Sequence, residues 1–346
     1  MLSRRGKIVL GSVGAVVALA AAAWGWVALT GRKVPIPVIG DIVKPPDPPE
    51  CPLTGKEAGS EEQIARPAFA VKVENLSVAR PQAGLKQADI VYEQPVEGGI
   101  TRFIALYHCG GSKRIGPVRS ARLVDPDVLR QYGRPIFAYA GGVERVFRAI
   151  GAAKLIDVNF VKAEPLYHKD PARFAPHNLF VSVSEFREFT DEGEAPPEEG
   201  PFVFDEAVPD DGASTPAKRI KVNFSPAANV RWKFNQTKGR WLRFHDSQRH
   251  QLEDGAVAVE NVVVQIVRVR PGAILDAAGN PSPEIDVVGE GKAFVFRDGR
   301  VIEGTWSRPT KKDVTEFLDE AGDPIPLLPG QTWVELFPKN RPFAFS

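Results

Sequence analysis

Residues 89–108 read DIVYEQPVEGGITRFIALYH, two apolar runs separated by a glycine-containing turn, and this pattern predicts a β-hairpin. The period of two along the first run puts Asp89 and Glu93 on the same face. The turn VEGG can then bring Glu93 opposite Arg102, so we expect an ion pair between them. Such a pair either fixes the register of the hairpin or orients Arg102 toward a ligand.

Asp89 and Glu93 are also candidates for catalytic carboxylates or for ligands of a divalent cation. Two carboxylates without further oxygen ligands do not complete a metal site. The sequence therefore assigns no metal centre and identifies no cofactor.

Further strands and helices are predicted on either side of this hairpin. The additional strands are expected at 68–74, 136–140 and 155–160, and the helices at 126–131, 142–150 and 183–189. Ser182 and Glu185 have the spacing of a capping box for the last helix. Strands that alternate with short helices predict an α/β or α+β layered domain over residues 51–190.

The C-terminal half contains repeated apolar runs joined by turns. The runs lie at 219–224, 229–234, 240–245, 256–269, 292–306 and 331–337, and the turns include Lys238-Gly239, Asp254-Gly255 and Asp298-Gly299. Asp-Gly between apolar runs is a strong hairpin signal. Residues 217–346 are therefore predicted to form an antiparallel β domain, either a sandwich or an open barrel.

An acidic stretch connects the two halves. Residues 191–216 contain nine acidic side chains and five prolines, and no basic residue occurs between 191 and 211. This composition is typical of a linker between domains.

The N-terminus predicts a single transmembrane helix. Residues 1–7 carry Arg4, Arg5 and Lys7, and residues 8–30 carry no charge. A helix of 23 residues covers the hydrocarbon core of a bilayer, which is about 30 Å thick. The alternative is a cleaved signal peptide. Residues 1–7 are expected in the cytoplasm, the proline-rich residues 31–50 form a tether, and the body lies outside the bacterial cell membrane.

Composition excludes several classes of protein. The chain has 44 Lys and Arg against 43 Asp and Glu, so no global field attracts it to nucleic acid. Cys51 and Cys109 are the two cysteines, and their number and spacing do not fit a zinc site. In an exported body they are expected to form one disulfide, the alternative being two unpaired buried thiols.

The stretch GPVRSAR at 116–122 is the strongest candidate for a binding site. Arg119 and Arg122 flank Ser120 directly after a Gly-Pro break, and planar guanidinium groups hold phosphate or carboxylate in bidentate fashion. Together with Arg102 they could converge on one anion. Alternatively, the arginines are solvated or brace the following segment at Asp125 and Asp127.

His177 and Asn178 follow Ala175-Pro176 in a predicted loop. Histidine is the usual general base at neutral pH, so His177 is a candidate catalytic residue and Asn178 a candidate ligand contact. Ser120 could be a nucleophile activated by His177, but no G-x-S-x-G motif supports this. A purely structural loop histidine is the alternative.

Several long motifs resemble the YerB-like bacterial proteins, a two-part domain of unknown function. They are CPLTG at 51–55, RPAFAVKVEN at 66–75, ARPQAGLKQADIVYE at 79–93, VEGGITRFIALY at 96–107, IGPVRSAR at 115–122, APHNLF at 175–180 and GKAFVFRDGRVIEGTW at 291–306. The resemblance implies a membrane-attached, envelope-facing protein of two domains without an assigned activity. Many relatives look like lipoproteins with a cysteine after the signal, whereas this chain has a longer hydrophobic segment there.

The chain has, in order, a strand with Arg102, a strand edge with Arg119, the run IFAYAGG at 136–142, a helix and LIDVNF at 155–160. This order is similar to the LytR-CpsA-Psr envelope proteins, which are also single-span and hold a polyprenyl pyrophosphate during glycan transfer. That likeness implies a metal role for Asp89 or Glu93 and a phosphate role for Arg102, Arg119 and Arg122. Two hypotheses follow. One is non-catalytic binding of an anionic, phosphate-bearing envelope lipid or glycan, or of a protein partner. The other is metal-assisted phosphoryl or glycan transfer.

Overall fold

The computed structural model describes residues 48–190, 192–197, 200–207, 214–276 and 278–346. The predicted span 8–30 and nearly all of the tether 31–50 lie outside these residues. Within the described ranges, no helix is both long enough and apolar enough to cross a membrane. Residues 48–346 form one compact unit.

The described residues contain few helices and many strands. The α-helices are α1 (Glu61–Ala65), α2 (Val124–Leu129), α3 (Glu144–Ala152) and α4 (Val183–Phe189). The strands of the N-terminal half are β1 (Phe69–Glu74), β2 (Ile90–Pro95), β3 (Thr101–Tyr107), β4 (Ile136–Ala138), β5 (Ile156–Asp157), β6 (His168–Lys169) and β7 (Leu179–Phe180). Short 3-10 helices lie at Ser77–Ala79, Leu85–Gln87, Glu97–Gly99, Arg130–Tyr132 and Glu164–Leu166.

The C-terminal half is almost entirely β structure. Its strands are β8 (Ser214–Pro216), β9 (Arg219–Ser225), β10 (Ala228–Asn235), β11 (Arg240–His245), β12 (Gln248–Arg249), β13 (Gln251–Leu252), β14 (Gly255–Ala256), β15 (Ala258–Val259), β16 (Asn261–Leu275), β17 (Pro281–Asp286), β18 (Gly289–Arg297), β19 (Arg300–Arg308), β20 (Glu316–Leu318), β21 (Thr332–Pro338) and β22 (Phe343–Phe345).

A mixed twelve-stranded sheet contains strands from both halves of the sequence. Its order is β20-β19-β18-β16-β21-β2-β3-β1-β4-β5, with β17 on β16 and β8 on β19. Strand β21 lies between β2 and β16 and is parallel to both. The acidic segment 191–216 thus connects two parts of one sheet, and its role as a domain boundary stays a prediction.

A second, antiparallel sheet has the order β12-β11-β10-β9-β22, with β15 on β11, and it packs on one face of the mixed sheet. Trp232 contacts Trp333 edge to face at 5.5 Å, and Trp241 contacts Phe296 in the same way at 5.6 Å. Helices α2 and α3 cover part of the opposite face. The prediction of a mainly antiparallel C-terminal region is confirmed, with β21 as the parallel exception.

The predicted hairpin 89–108 is present as β2 and β3, but with a different register. Gln94, not Glu93, lies opposite Arg102, because the turn closes with a bond from the Val96 amide to the Ile100 carbonyl. Adjacent residues of a strand point to opposite faces, so the expected Glu93–Arg102 ion pair is wrong. The expected capping box is also wrong, because the Ser182 side chain does not cap α4 and Glu185 instead contacts His168 at 2.7 Å.

The expected disulfide is confirmed. Cys51 and Cys109 are bonded, with their Cα atoms 6.1 Å apart, and the bond joins residues separated by 58 positions. In the chain-entropy account, closing a loop of this length stabilises the fold by about 4 kcal/mol.

A buried ion pair joins the two sheets. Glu93 on β2 and Arg243 on β11 are 2.5 Å apart, and both side chains are fully buried. Thr101 donates to Glu93 at 2.6 Å, and Arg243 donates to the Nδ1 atom of His250 at 2.9 Å. Each buried charge therefore has polar partners from both halves of the chain.

Glu335 on β21 lies beside Glu93 in the register. Burial and the negative charge of Glu93 raise the pKa of Glu335 well above its ordinary value, so Glu335 is a neutral acid that can donate to Glu93. Its Oε1 atom accepts a bond from the Trp232 indole at 2.8 Å. One negative charge, on Glu93, thus remains to balance Arg243.

Glu93→Gln leaves Arg243 as a buried cation without its counter-ion, and we expect it to lower the free energy of unfolding by about 3–5 kcal/mol. The matched variant Glu335→Gln replaces a neutral acid by a neutral amide and should cause no such loss. The raised pKa of Glu335 makes the wild type lose stability as the pH rises above 4.5. The free energy of unfolding of Glu335→Gln, relative to the wild type, should therefore increase over that range. Urea unfolding at several pH values measures both effects. Equal losses in the two variants would contradict the assignment of charge.

Proteolytic cleavage within 191–213 should give two fragments that stay together, because β21 is held between β2 and β16. Denaturing gels should show two bands, whereas size-exclusion chromatography in native buffer should show one peak. The same nicked sample in urea should separate into two peaks. Two peaks in native buffer would mean that the shared sheet does not hold the fragments.

Candidate functional site

Seven strands of the mixed sheet run in the same direction, namely β1, β2, β4, β5, β16, β19 and β21. Their carboxyl ends therefore meet at one side of the sheet, which we call the carboxyl edge. Strand β3 runs the other way, so its first residues, including Arg102, also lie there. Ligands of sheets with parallel strands commonly bind at such an edge, where neighbouring strands diverge.

The predicted stretch 116–122 enters the sheet where β1 and β4 diverge. These strands pair only through Phe69–Val71 and Ile136–Ala138. Beyond that point, Arg119 donates its amide to the Lys72 carbonyl at 2.8 Å, and the Ala140 amide donates to the Arg119 carbonyl at 3.0 Å. The backbone of Arg119 is thus held from both sides at the carboxyl edge.

Glu74, the last residue of β1, contacts two of the predicted arginines. Arg119 Nε donates to Glu74 Oε2 at 2.5 Å, and Arg102 Nε lies 3.7 Å from Oε1. Burial disfavours the Glu74 carboxylate, but the charges of Arg102 and Arg119 outweigh it and lower the pKa of Glu74 below its ordinary value. Glu74 is therefore a buried anion shared by two guanidinium groups.

Arg122 is held by a second carboxylate. Its Nε and Nη2 atoms donate to the two oxygens of Glu97 at 2.6 and 2.5 Å. Arg102 and Arg122 both donate to the Ser120 carbonyl, at 3.3 and 3.2 Å. Burial, followed by repulsion from Arg122, lowers the pKa of Arg102 to about 10. The three predicted arginines therefore lie together, and we call Arg102, Arg119 and Arg122 with Glu74 and Glu97 the arginine cluster.

A further buried ion pair lies next to this cluster. Lys72 Nζ and Asp125 Oδ1 are 2.7 Å apart, and both side chains are fully buried. Asp125 also accepts bonds from the Arg122 amide at 2.7 Å and from Gln94 at 2.8 Å. Burial lowers the pKa of Lys72 to about 8, against the opposing effect of Asp125. The predicted alternative, bracing at Asp125, is realised through the backbone of Arg122, while its side chain contacts Glu97.

His177 lies at the same edge, with Nδ1 3.9 Å from Glu74 Oε2. Burial and the charge of Arg119 lower the pKa of His177 below its ordinary value. Asn178 follows it, and its carbonyl accepts a bond from the Asp170 amide at 2.7 Å. Ser120 contributes its carbonyl to the arginines. Catalytic or ligand-binding roles for these three side chains stay predictions.

The cluster retains unused hydrogen-bond donors. Within the described residues, the terminal nitrogens of Arg119 make no hydrogen bond, and the buried Arg102 Nε and His177 Nδ1 atoms also have none. Four cations, including Lys72, face three carboxylates, including Asp125. This arrangement leaves an excess positive charge next to donors suited to an anion.

The predicted carboxylates Asp89 and Glu93 lie elsewhere. Asp89 is at the opposite edge, where it accepts bonds from the amides of His108 at 2.5 Å and Gly110 at 3.0 Å. Burial raises its pKa despite these amides. Glu93 lies between the sheets with Arg243. In the part of the chain that the structure describes, no group of three or more His, Cys, Asp or Glu side chains is placed to hold a metal ion.

Glu74, Glu97 and Lys72 are members of this region that the sequence patterns do not predict. The sequence signal for two of them was the occurrence of Lys72 and Glu74 in the otherwise apolar run AFAVKVE at 68–74. Both residues lie in β1, a strand that is buried on both faces. A charged side chain in such a strand needs a partner of opposite charge. The partners, however, come from β3, from the stretch 116–122 and from α2, which are distant in sequence.

Glu74→Gln removes the anion shared by Arg102 and Arg119, and we expect a loss of about 3 kcal/mol in the free energy of unfolding at pH 7. Because the folded-state pKa of Glu74 is depressed, its contribution is present above pH 4.5 and disappears as the pH falls below that value. The difference between wild type and variant should shrink accordingly in urea unfolding at falling pH. The exposed control Glu61→Gln should change little at any pH, and a constant difference for Glu74→Gln would contradict the depressed pKa.

Comparison with known proteins gives consistent matches along the body. Models of the "Protein of unknown function (DUF3048)" N-terminal and C-terminal domains match residues 53–195 and 220–334. The chain is 27% identical over 297 residues to the "Putative lipoprotein YerB" of Bacillus subtilis (strain 168), covering 84% of this chain and 86% of that protein.

A crystal structure of YerB protein from Bacillus subtilis has the same fold. It superposes with a TM-score of 0.70 at 24% sequence identity, over 86% of this chain and 99% of the solved chain. The two family models together cover most of the described residues, in the order N-terminal then C-terminal. The chain therefore belongs to the DUF3048 family of proteins of unknown function, the family that includes YerB.

Proposed function

We propose that this protein is a membrane-attached, extracytoplasmic protein of the bacterial envelope that binds an anionic, phosphate-bearing ligand at the arginine cluster without catalysing a reaction. The uncharged run 8–30 and the Cys51–Cys109 disulfide support export and attachment. The name of the YerB relative as a putative lipoprotein is consistent with a place at the membrane.

The observation that carries the proposal is the meeting of Arg102, Arg119 and Arg122 around Ser120 at the carboxyl edge. The side chains of Arg119 and Arg122 are partly exposed, and Arg119 has unused terminal nitrogens within the described residues. A phosphate can accept from these nitrogens and offset the repulsion among the arginines. A phosphate-bearing lipid or glycan is the expected class of ligand.

Metal-assisted phosphoryl or glycan transfer is the alternative. It needs carboxylates beside the arginines to hold a metal ion near the phosphate. Asp89 lies at the opposite edge and Glu93 lies between the sheets, each with its own buried partners. The carboxylates that do lie beside the arginines, Glu74 and Glu97, are already bonded to guanidinium groups. These positions favour binding over transfer.

Inorganic pyrophosphate should raise the melting temperature of the wild-type body, residues 48–346, by about 5 °C at a hundredfold excess over the dissociation constant. Arg119→Ala should abolish most of the rise, because it removes the donors that are not already used. Arg249→Ala is the matched control, since Arg249 is exposed on the second sheet. The melting temperatures of the wild type and both variants are measured by thermal unfolding, with and without magnesium.

An unchanged melting temperature of the wild type, or an equal response of the two arginine variants, would contradict the proposal. A rise that requires magnesium, together with turnover of a polyprenyl pyrophosphate substrate, would favour the transferase instead. The body is a suitable sample because the solved YerB chain corresponds to it over 99% of its own length.

A further inference from the structure

Exposed large apolar side chains are concentrated at the carboxyl edge. Among the described residues there are seven, and five follow or end strands at this edge or lie on the loop that carries His177: Val78, Val143, Val161, Phe174 and Leu275. Phe174 is 91% exposed and Val161 is 84% exposed, so neither packs against the body. The other two, Phe189 and Val203, lie outside these segments.

Four of these side chains are close in sequence to contacts of the arginine cluster. Val78 lies two residues after Leu76, whose amide donates to Glu74 at 3.4 Å. Val143 follows Gly141, whose carbonyl accepts from the Ala121 amide at 2.9 Å, between Ser120 and Arg122.

Phe174 and Leu275 approach the cluster from two other segments. The Phe174 carbonyl accepts from the His177 amide at 2.9 Å, and the neighbouring Arg173 donates to the Ala79 carbonyl at 3.0 Å, next to Val78. Leu275 ends β16 opposite Pro281 of β17, and β17 contacts the 3-10 helix Glu97–Gly99, which carries a carboxylate of the cluster. These exposed apolar side chains and the arginines therefore lie on neighbouring segments of the carboxyl edge.

Single exposed apolar side chains are common on soluble proteins, but folding does not explain why five of these seven lie at the edge that carries the unused arginine donors. Proteins that lie on membranes combine apolar side chains that enter the boundary between headgroups and acyl chains with cations that attract anionic lipids. A soluble phosphate would accept hydrogen bonds from the arginines but would not contact the exposed apolar side chains of the edge.

We propose that the carboxyl edge docks on the surface of an anionic phospholipid bilayer. Phe174 and Val78 enter the interface, and the arginine cluster binds lipid phosphate. This inference rests on the proposed anion binding and names its source as a lipid headgroup in a bilayer. The positive charge of the arginine cluster fits the anionic headgroups. The exposed apolar side chains around the cluster fit the boundary between headgroups and acyl chains.

Co-sedimentation of the body, residues 48–346, with vesicles tests the proposal. Binding is expected to vesicles of phosphatidylglycerol mixed with phosphatidylcholine, and little binding to phosphatidylcholine alone. Phe174→Ser should weaken the binding about tenfold. Val203→Ser is the control, since Val203 is an exposed apolar residue outside the edge segments, and it should have no effect. Phe174→Trp should show a blue shift of its fluorescence, relative to wild type, when anionic vesicles are added.

The result that would overturn the inference is the absence of vesicle binding, binding that Phe174→Ser does not weaken, or equal binding to both kinds of vesicle. A wild-type dimer that Phe174→Ser dissociates would also overturn it, because the edge would then face a second copy of the chain. The pyrophosphate measurement separates the two proposals. A pyrophosphate response without vesicle binding rejects docking and leaves the anion site standing, whereas loss of both rejects the two together.

Discussion

The ion pair between Glu93 and Arg243 is the constraint on which the arrangement of the two sheets depends. Both side chains are fully buried, so neither charge is tolerated without the other. Glu93 belongs to the N-terminal half and Arg243 to the C-terminal half. Around them, His250 accepts from Arg243 and can donate to Gln82 at 2.9 Å, and Trp232 donates to Glu335. The second sheet is therefore fixed on the mixed sheet by directional bonds in addition to the packing of the tryptophans.

The arginine cluster shows a related principle at the sheet edge. Glu74 and Glu97 hold the arginines in place, which positions guanidinium groups that would otherwise repel one another. The carboxylates thus offset most of the positive charge of the cluster, while Arg119 keeps unused donors within the described residues. Such a site exposes oriented donors rather than a strong net charge, which suits selective recognition of a phosphate group over general attraction of anions.

Local patterns predicted much of this fold, and long-range pairing accounts for what they missed. The runs at 69–74, 90–95 and 101–107 and the turn at Asp298-Gly299, where both residues have positive φ, follow from alternation and turn chemistry. The place of β21 between β2 and β16 has no local signal, because its partners are distant in sequence. The stretch 116–122 indicated arginines on a turn, but the choice of Glu74 and Glu97 as partners depends on β1 and β2 ending at the same edge. The one-residue error in the hairpin moved Glu93 to the wrong face.

The disulfide also determines how the body responds to mechanical tension. Cys51 lies three positions after Pro48, where the described chain begins, and Cys109 follows the end of β3. A pull on the chain ahead of Pro48 passes through the sulfur bridge directly into β3. Because β3 is bonded on both sides, to β1 and β2, the force is shared by two ladders of hydrogen bonds at once. The covalent path of the load thus skips residues 52–100, so β1 and β2 are loaded only through their bonds to β3 and are not peeled from the sheet one after another.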